Sequence, residues 1–312
     1  MRRSSTFDIV AYVAVPAASL RARLASLALI LVPLGLVVAA VLSFGIIKLA
    51  QQRASLPTEL RLAIKRREFE LHYQPIVDLE SRRIVGVEAL LRWPGRNGSS
   101  LRPDLFIPVA EECGLIPLIT EFVMARIALD MPRLVAEFPD FYGSINLTAS
   151  DLHTEAVVAA LRKLVQTRGM TAANIIIEAT EHSLLDPQRS RQVISDIRDM
   201  GIRIAIDDFG TGYSGLSQLT TLQSDYLKID KVFVDTVGTD SPTNQVALHI
   251  IRIAESLGLS IIGEGVETEV QARFLFAHGV RLAQGWLFHR AMPLETLLGV
   301  LREQSRTSRA SA

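Results

Sequence analysis

The chain has 312 residues, and its 33 basic and 33 acidic side chains give a net charge of zero. This balance argues against a domain that binds polymeric nucleic acid through bulk positive charge, because such domains are usually strongly basic. Long disorder is excluded as well, since 49% of the residues are hydrophobic and only 21% are charged. The single cysteine, Cys113, cannot form an internal disulfide, so the sequence does not indicate an oxidising compartment.

An apolar stretch near the N-terminus predicts a membrane-spanning helix. Residues 24–47 carry no ionisable side chain, and about 20 apolar residues are enough for a helix to cross a bilayer. A buried core helix or the core of a signal peptide is the less favoured alternative, since a signal-peptide core is usually shorter. More Lys and Arg residues follow the stretch than precede it, which predicts a single-pass inner-membrane protein whose C-terminal side is cytoplasmic.

The chain is therefore predicted to have five segments. They are a short N-terminal segment, the transmembrane helix, a linker, a large domain and a flexible tail, at residues 1–23, 24–47, 48–56, 57–302 and 303–312. In the large domain, short apolar runs alternate with segments of helical period, which indicates a parallel α/β sheet. Eight such runs in about 250 residues predict a closed TIM-like (β/α)₈ barrel. Only a few residues around Ser81 separate the first two runs, so the first strand is expected to be antiparallel.

Seven of the predicted strands end in polar or charged residues. These are Glu88, Asn146, Glu178, Asp207 with Asp208, Lys228, Glu264 and Gln284. Any one of them alone is adequately explained as a solvated strand end. In a barrel, however, the C-terminal ends of the strands face one cavity, so the seven together predict a functional site.

The residue types at these strand ends indicate metal chemistry. Five carboxylates in one cavity cannot all stay charged unless a cation lies among them. Oxygen ligands, including the Asn146 amide, suit Mg²⁺ or Mn²⁺ better than zinc. The adjacent Asp207 and Asp208 could bridge two ions, and two-metal sites of this kind hydrolyse phosphate esters.

A competing motif lies directly after the two aspartates. Residues 210–215 match G-x-G-x-x-G, the fingerprint of dinucleotide binding. Asp207 and Asp208 would repel a pyrophosphate at this point, and eight strands disfavour a dinucleotide-binding fold. We interpret the segment as a flexible loop over the site.

These residues together resemble the EAL domain, in motifs that occur in the family's order over about residues 57–302. The motifs are Y-Q-P-I at 73–76, V-E-A-L-L-R-W at 87–93, S-I-N-L at 144–147, E-A-T-E at 178–181, D-D-F-G-T-G-Y-S at 207–214, K-I-D at 228–230, E-G-V-E at 264–267 and Q-G at 284–285. The resemblance implies a phosphodiesterase that hydrolyses cyclic di-GMP to linear pGpG with two Mg²⁺ or Mn²⁺ ions. It also implies a homodimer, formed through the loop after the strand at 202–206 and the helix that follows this loop.

The resemblance further implies roles for individual residues. Glu88, Asn146, Glu178 and Asp207 are similar to ligands of the first metal, with Asp207 also bridging, and Asp208 is similar to a ligand of the second. Lys228 resembles the residue that holds or deprotonates the attacking water, and Glu264 resembles one that completes the metal and water shell. Glu181 resembles the glutamate that anchors the loop. The residues that resemble substrate-binding or supporting groups are Gln74, Arg92 and Gln284.

The same residues bear on two alternatives to an active phosphodiesterase. A catalytically silent EAL module would bind cyclic di-GMP or a partner protein, but silent members typically lack one or more of the acids, and all are present here. An unrelated barrel hydrolase, such as a glycosidase with two carboxylates, would leave Lys228, Asn146 and the paired aspartates without a role. The N-terminal layout also resembles membrane EAL proteins that carry a CSS-motif periplasmic sensor between two spans, of which this chain would hold the second. The sequence leaves open whether residues 1–23 are a remnant of such a sensor.

Overall fold

A computed structural model of the chain describes residues 2–3, 10–11, 17–95, 100–180, 183, 187–210, 223–238 and 242–310. The chain divides into two compact units, Met1–Glu59 and Leu60–Ala312. In the first unit, strands β1 (Arg2–Arg3) and β2 (Val10–Ala11) pair in antiparallel fashion. Helix α1 (Ala17–Arg66) continues without a break through the residues predicted as a span and as a linker.

The structure bears directly on the predicted transmembrane helix. Among the residues it describes, no helix combines the length and the apolar character that a membrane crossing requires. The span predicted at residues 24–47 is therefore not supported by the structure.

The second unit contains the predicted eight-stranded barrel. Its strands are β3 (Glu70–Asp78), β4 (Ile84–Pro94), β6 (Tyr142–Leu147), β7 (Ile175–Thr180), β8 (Arg203–Phe209), β9 (Tyr226–Ile229), β10 (Ser260–Gly263) and β11 (Leu282–Ala283). A two-residue strand, β5 (Ser100–Leu101), pairs with the outer end of β4. Apart from β5, which is antiparallel to β4, neighbouring strands from β4 to β11 are parallel. Strand β3 is antiparallel to both β4 and β11 and closes the barrel. The barrel and its antiparallel first strand are confirmed.

The helices between the strands cover the outside of the barrel. They are α2 (Pro103–Glu112), α3 (Ile116–Glu137), α4 (Ala149–Leu152), α5 (Glu155–Val165), α6 (Pro187–Asp199), α7 (Lys231–Val234), α8 (Pro242–Ser256), α9 (Glu269–Ala277) and α10 (Leu294–Ala310). The helices pack through apolar residues that recur at helical spacing. In α5 these buried residues are Val157, Val158, Leu161 and Leu164. The side chain of Thr154 caps this helix by accepting a hydrogen bond from the Ala156 amide.

Helix α10 corrects the predicted flexible tail. Residues 303–310 continue the helix, although the polar and small residues from Ser305 onward predict a frayed end. Gln304 accepts a hydrogen bond from the Ile84 amide at 3.0 Å and donates one to the Arg82 carbonyl at 3.1 Å. Arg302 makes a bidentate pair with Glu137 of α3. These tertiary contacts favour a helix where composition alone favours a coil.

The alternation of side chains along each strand directs the polar residues into the barrel. A buried layer of Ile76, Tyr142, Ile176, Ala205, Tyr226 and Ile262 fills the interior. Because side chains alternate along a strand, the residue two positions further towards the site faces inward as well. Glu178 follows Ile176 in this way, and Lys228 follows Tyr226. On antiparallel β3 the order is reversed, so Gln74 precedes Ile76.

Candidate active site

Lys228 lies at the centre of the polar residues and is fully buried. Its Nζ is 2.6 Å from Glu178 Oε2 and 2.7 Å from Glu264 Oε1. The same nitrogen is 3.2 Å from Asp207 Oδ2 and 3.5 Å from Glu88 Oε2. One ammonium group therefore contacts carboxylates from four strands or strand ends, which brings together the residues predicted from the polar strand ends.

Two amide side chains fix the same carboxylates. Asn146 donates from Nδ2 to Glu88 Oε1 at 2.7 Å. Gln284 donates from Nε2 to Glu88 Oε2 at 2.7 Å and to Glu264 Oε1 at 2.8 Å. The structure thus places Gln284 against the acids, where it holds Glu88 and Glu264 in position.

A bulge in β8 explains how two successive aspartates serve one site. The register with β9 shifts between Ile206, which faces Leu227, and Phe209, which faces Ile229, so β8 carries one extra residue. Asp208 adopts a φ of +55°, which is rare for a side chain other than glycine. Its amide donates to Asp207 Oδ1 at 3.0 Å. Adjacent residues of a regular strand would point to opposite faces, whereas this bulge brings both carboxylates close to Glu264.

Burial and mutual repulsion make several of these acids hard to ionise. Burial, followed by the charge of Glu88, raises the pKa of Glu178 to about 8. Burial, followed by the charges of Asp207 and Asp230, raises the pKa of Asp208 to about 6. A cation bound nearby would lower the pKa of these acids and stabilise their charged form, so the cluster is suited to bind a metal ion.

For two groups in the site, neighbouring side chains outweigh the effect of burial on the pKa. Burial acts to lower the pKa of Lys228, but the surrounding carboxylates outweigh it and hold that pKa well above its usual value. Burial acts to raise the pKa of Glu88, but Lys228, Gln284 and Asn146 outweigh it and lower that pKa. Lys228 is therefore an ammonium ion and Glu88 a carboxylate at neutral pH.

The carboxylates form two groups that could each hold a metal ion. One group is Glu88, Glu178 and Asp207, and the other is Asp207, Asp208 and Glu264; within each group the ligand atoms lie within 4.8 Å of one another. Glu178 Oε1 is buried and, among the described residues, has no hydrogen-bond partner. A buried carboxylate oxygen without a partner is costly unless a cation faces it. An oxygen-only site with Asp207 shared between two groups fits a pair of divalent cations.

Sequence analysis missed Asp230 as a site residue. Its side chain accepts a hydrogen bond from the Val232 amide at 2.8 Å and so caps α7. The same carboxyl contributes to the raised pKa of Asp208 by charge and by a hydrogen bond. Its position two residues beyond Lys228, directly after β9, is the signal that could have identified it.

The remaining predicted residues are placed as follows. Gln74 faces Glu88 across the β3–β4 pair, and its Nε2 donates to the His289 carbonyl. Arg92 lies four residues beyond Glu88, hence on the same face of β4, and donates to the Leu91 carbonyl at 3.1 Å. Glu181 lies outside the described residues, as does most of the predicted loop at 210–215.

Comparison with known proteins agrees with this geometry. Residues 58–291 match the model of the EAL domain. PdeB of Escherichia coli (strain K12), a probable cyclic di-GMP phosphodiesterase, is 40% identical over 266 residues, which cover 85% of this chain and 51% of PdeB. PdeN of the same organism, also a probable cyclic di-GMP phosphodiesterase, is 36% identical over 246 residues, which cover 78% of this chain and 48% of PdeN. The chain thus spans about half the length of these curated relatives.

A solved structure supports the same relationship. The PaMucR phosphodiesterase in complex with c-di-GMP has a TM-score of 0.74 to this chain at 36% identity, covering 78% of this chain and 99% of that one. The family match extends over most of the chain and includes every strand end that contributes to the acid cluster. The chain belongs to the EAL domain family.

Proposed function

We propose that the chain hydrolyses cyclic di-GMP to linear pGpG by two-metal cleavage of a phosphodiester bond. The observation that carries the proposal is the pair of carboxylate groups that share Asp207 around the buried Lys228. PdeB and PdeN are named as probable cyclic di-GMP phosphodiesterases, and the PaMucR phosphodiesterase was solved with c-di-GMP. The relatives indicate the substrate, and the carboxylate groups of this chain indicate metal-dependent cleavage of a phosphodiester.

The residues present fit two divalent cations, which we propose to be Mg²⁺ or Mn²⁺. Glu88, Asn146, Glu178 and Asp207 would hold the first ion. Asp207, Asp208 and Glu264 would hold the second. When bound, such ions lower the pKa of a coordinated water and stabilise negative charge on a phosphate.

Lys228 then acts as a hydrogen-bond donor in the proposed reaction. Sequence resemblance left open whether it holds or deprotonates the attacking water. The surrounding carboxylates hold the pKa of Lys228 well above its usual value in the metal-free chain, and its ammonium group can donate a hydrogen bond to a water held among the acids. Lys228 therefore orients the nucleophile and offsets the charge of the surrounding acids.

Metal-dependent turnover is the direct test of this function. The full chain in detergent micelles is expected to convert cyclic di-GMP to pGpG with Mg²⁺ or Mn²⁺ and to lose activity in excess chelator. Ca²⁺ is expected to bind and inhibit, because its coordination shell is larger and looser. Chromatography of the nucleotide products measures both effects.

Other outcomes of that assay are equally informative. Robust turnover in excess chelator would refute the two-metal proposal. Binding of cyclic di-GMP without turnover in any metal would favour the silent EAL module instead.

We also propose that α1 anchors the protein in the inner membrane, with the EAL domain in the cytoplasm. The proposal rests on the exposed side chains of residues 31–46, which are apolar apart from Ser43. The predicted span at 24–47 also includes residues whose side chains lie outside the described set. The homodimer implied by the family resemblance stays a prediction, since much of the loop concerned is outside that set as well.

Carbonate extraction of membranes tests the anchor. The parent chain is expected to stay in the membrane pellet, and Leu36→Arg is expected to weaken its retention, since a charge at the centre of a span costs about 3 kcal/mol. Leu129→Arg on α3 is the matched control, because Leu36 and Leu129 are both 67% exposed. Recovery of the parent chain in the soluble fraction without detergent would contradict the anchor.

A further inference from the structure

Trp286 is a large aromatic side chain that remains exposed at the end of the barrel. It is 60% exposed, whereas the other tryptophan, Trp93, is 8% exposed and packs against Phe106. The guanidinium carbon of Arg290 lies 4.2 Å from the centroid of the Trp286 ring. A cation stacked on one ring face orders the indole and leaves ring surface available to solvent.

Residues on both sides of Trp286 make hydrogen bonds at the end of the barrel that carries the acid cluster. Gln284, two residues earlier, contacts Glu88 and Glu264 directly. His289, three residues later, accepts a hydrogen bond from Gln74, whose cross-strand neighbour is Glu88. Along the chain, Trp286 therefore lies between two residues that are held at the end of the barrel that carries the acid cluster.

Backbone contacts make the turn that carries Trp286 rigid. The amides of Phe288 and His289 both donate to the Gly285 carbonyl at 3.2 Å, which closes the turn. A Cβ at Gly285 would clash with the Val266 carbonyl oxygen, so the turn packs directly against the loop that follows Glu264. A rigid support lets an exposed ring bind a flat ligand at low cost in conformational entropy.

We infer that Trp286, ordered by Arg290, is a substrate-binding residue that stacks on one guanine base of the substrate. The inference rests on the proposed function, which supplies a ligand with two purines beside the scissile phosphates. Stacking on aromatic rings is the usual way in which proteins bind unpaired bases. The acid cluster acts on the phosphodiester, so recognition of a base requires a separate surface, and Trp286 provides one.

A split between KM and kcat tests this role. Trp286→Ala is expected to raise the KM for cyclic di-GMP about 10-fold or more, the usual cost of losing one stacked base, with kcat within a few-fold of the parent. Hydrolysis of bis(p-nitrophenyl) phosphate, a phosphodiester without a purine, should be unchanged. Trp286→Phe should restore most of the affinity because it keeps a stacking ring. Phe276→Ala on α9, which also removes a partly exposed aromatic ring, should behave like the parent.

Fluorescence gives a second readout that does not depend on turnover. Cyclic di-GMP should quench the tryptophan emission of the parent chain, and Trp286→Phe, which keeps only the buried Trp93, should lose that quenching. A parent chain that hydrolyses cyclic di-GMP while Trp286→Ala keeps its KM and the quenching is absent would overturn this inference alone. A parent chain that neither binds nor hydrolyses cyclic di-GMP would instead overturn the proposed function.

Discussion

Asp207→Asn is expected to abolish binding of both metal ions, and with it nearly all turnover. Among the described residues, Asp207 is the acid that belongs to both carboxylate groups, so each ion would share its charge. Asparagine has almost the same shape, and the Lys228 contact at 3.2 Å can be kept by the amide oxygen, so the fold should survive. Loss of a bridging charge removes several kcal/mol of stabilisation from the reaction, equivalent to about a 1000-fold loss in rate.

Asp208→Asn is the matched control for this experiment. Asp208 is the adjacent residue, on the same bulge, but it belongs only to the group that contains Asp207 and Glu264. Calorimetric titration of Mn²⁺ into the full chain should count two ions for the parent, one for Asp208→Asn and none for Asp207→Asn. Two ions bound to Asp207→Asn would show that the shared carboxylate does not bridge them.

Lys228→Met is expected to destabilise the metal-free chain strongly. The substitution keeps most of the buried volume but leaves the four acids around Lys228 without their cation. Breaking a buried ion pair by removing one partner typically costs about 3–5 kcal/mol of unfolding free energy. Divalent cations can replace part of the missing charge, so the loss measured in Mg²⁺ should be smaller than the loss measured in chelator.

The same variant separates the structural role of Lys228 from its catalytic role. At saturating metal, Lys228→Met should still lose orders of magnitude in turnover, because no donor then orients the nucleophile. Lys231→Met is the control: Lys231 also contacts two carboxylates, Asp235 and Glu267, but is half-exposed, so its loss should cost less than about 1 kcal/mol. Denaturant unfolding and product formation measure the two effects. Turnover of Lys228→Met within a few-fold of the parent would show that the catalytic role is wrong.

The order of the strands and most of the acid cluster could be predicted from the sequence because they depend on local patterns. Apolar runs that end in a charged residue are visible without a structure, and barrel geometry then brings Glu178 and Lys228 together. The family resemblance added the substrate and the roles. The strand order and the acid cluster, by contrast, need only the period of a strand and the position of its end.

Other features depend on contacts between distant segments and could not be predicted in this way. The bulge at Asp208 is a shift of register with a neighbouring strand, and no local pattern indicates it. The sequence shows Asp230 only as part of the K-I-D motif. Its effect on the pKa of Asp208 arises when the ends of β8 and β9 meet, so no local pattern predicts it. Helix α10 persists where composition suggested a tail because Gln304 contacts the hairpin at the start of the barrel.

Because β3 pairs with both the second and the last strand, the barrel can close only late in synthesis of the chain. β3 pairs with β4 as soon as the first hairpin emerges, but its other edge waits for β11 and for the Tyr73–Met292 pair. Gln74 and His289, which meet across this seam, are 215 residues apart. At usual rates of synthesis, the ribosome takes about 10–40 s to cover that distance, and an unpaired strand edge is prone to pair with other chains during the delay. The seam, which closes last, is where a nascent chain of this protein is most exposed to aggregation.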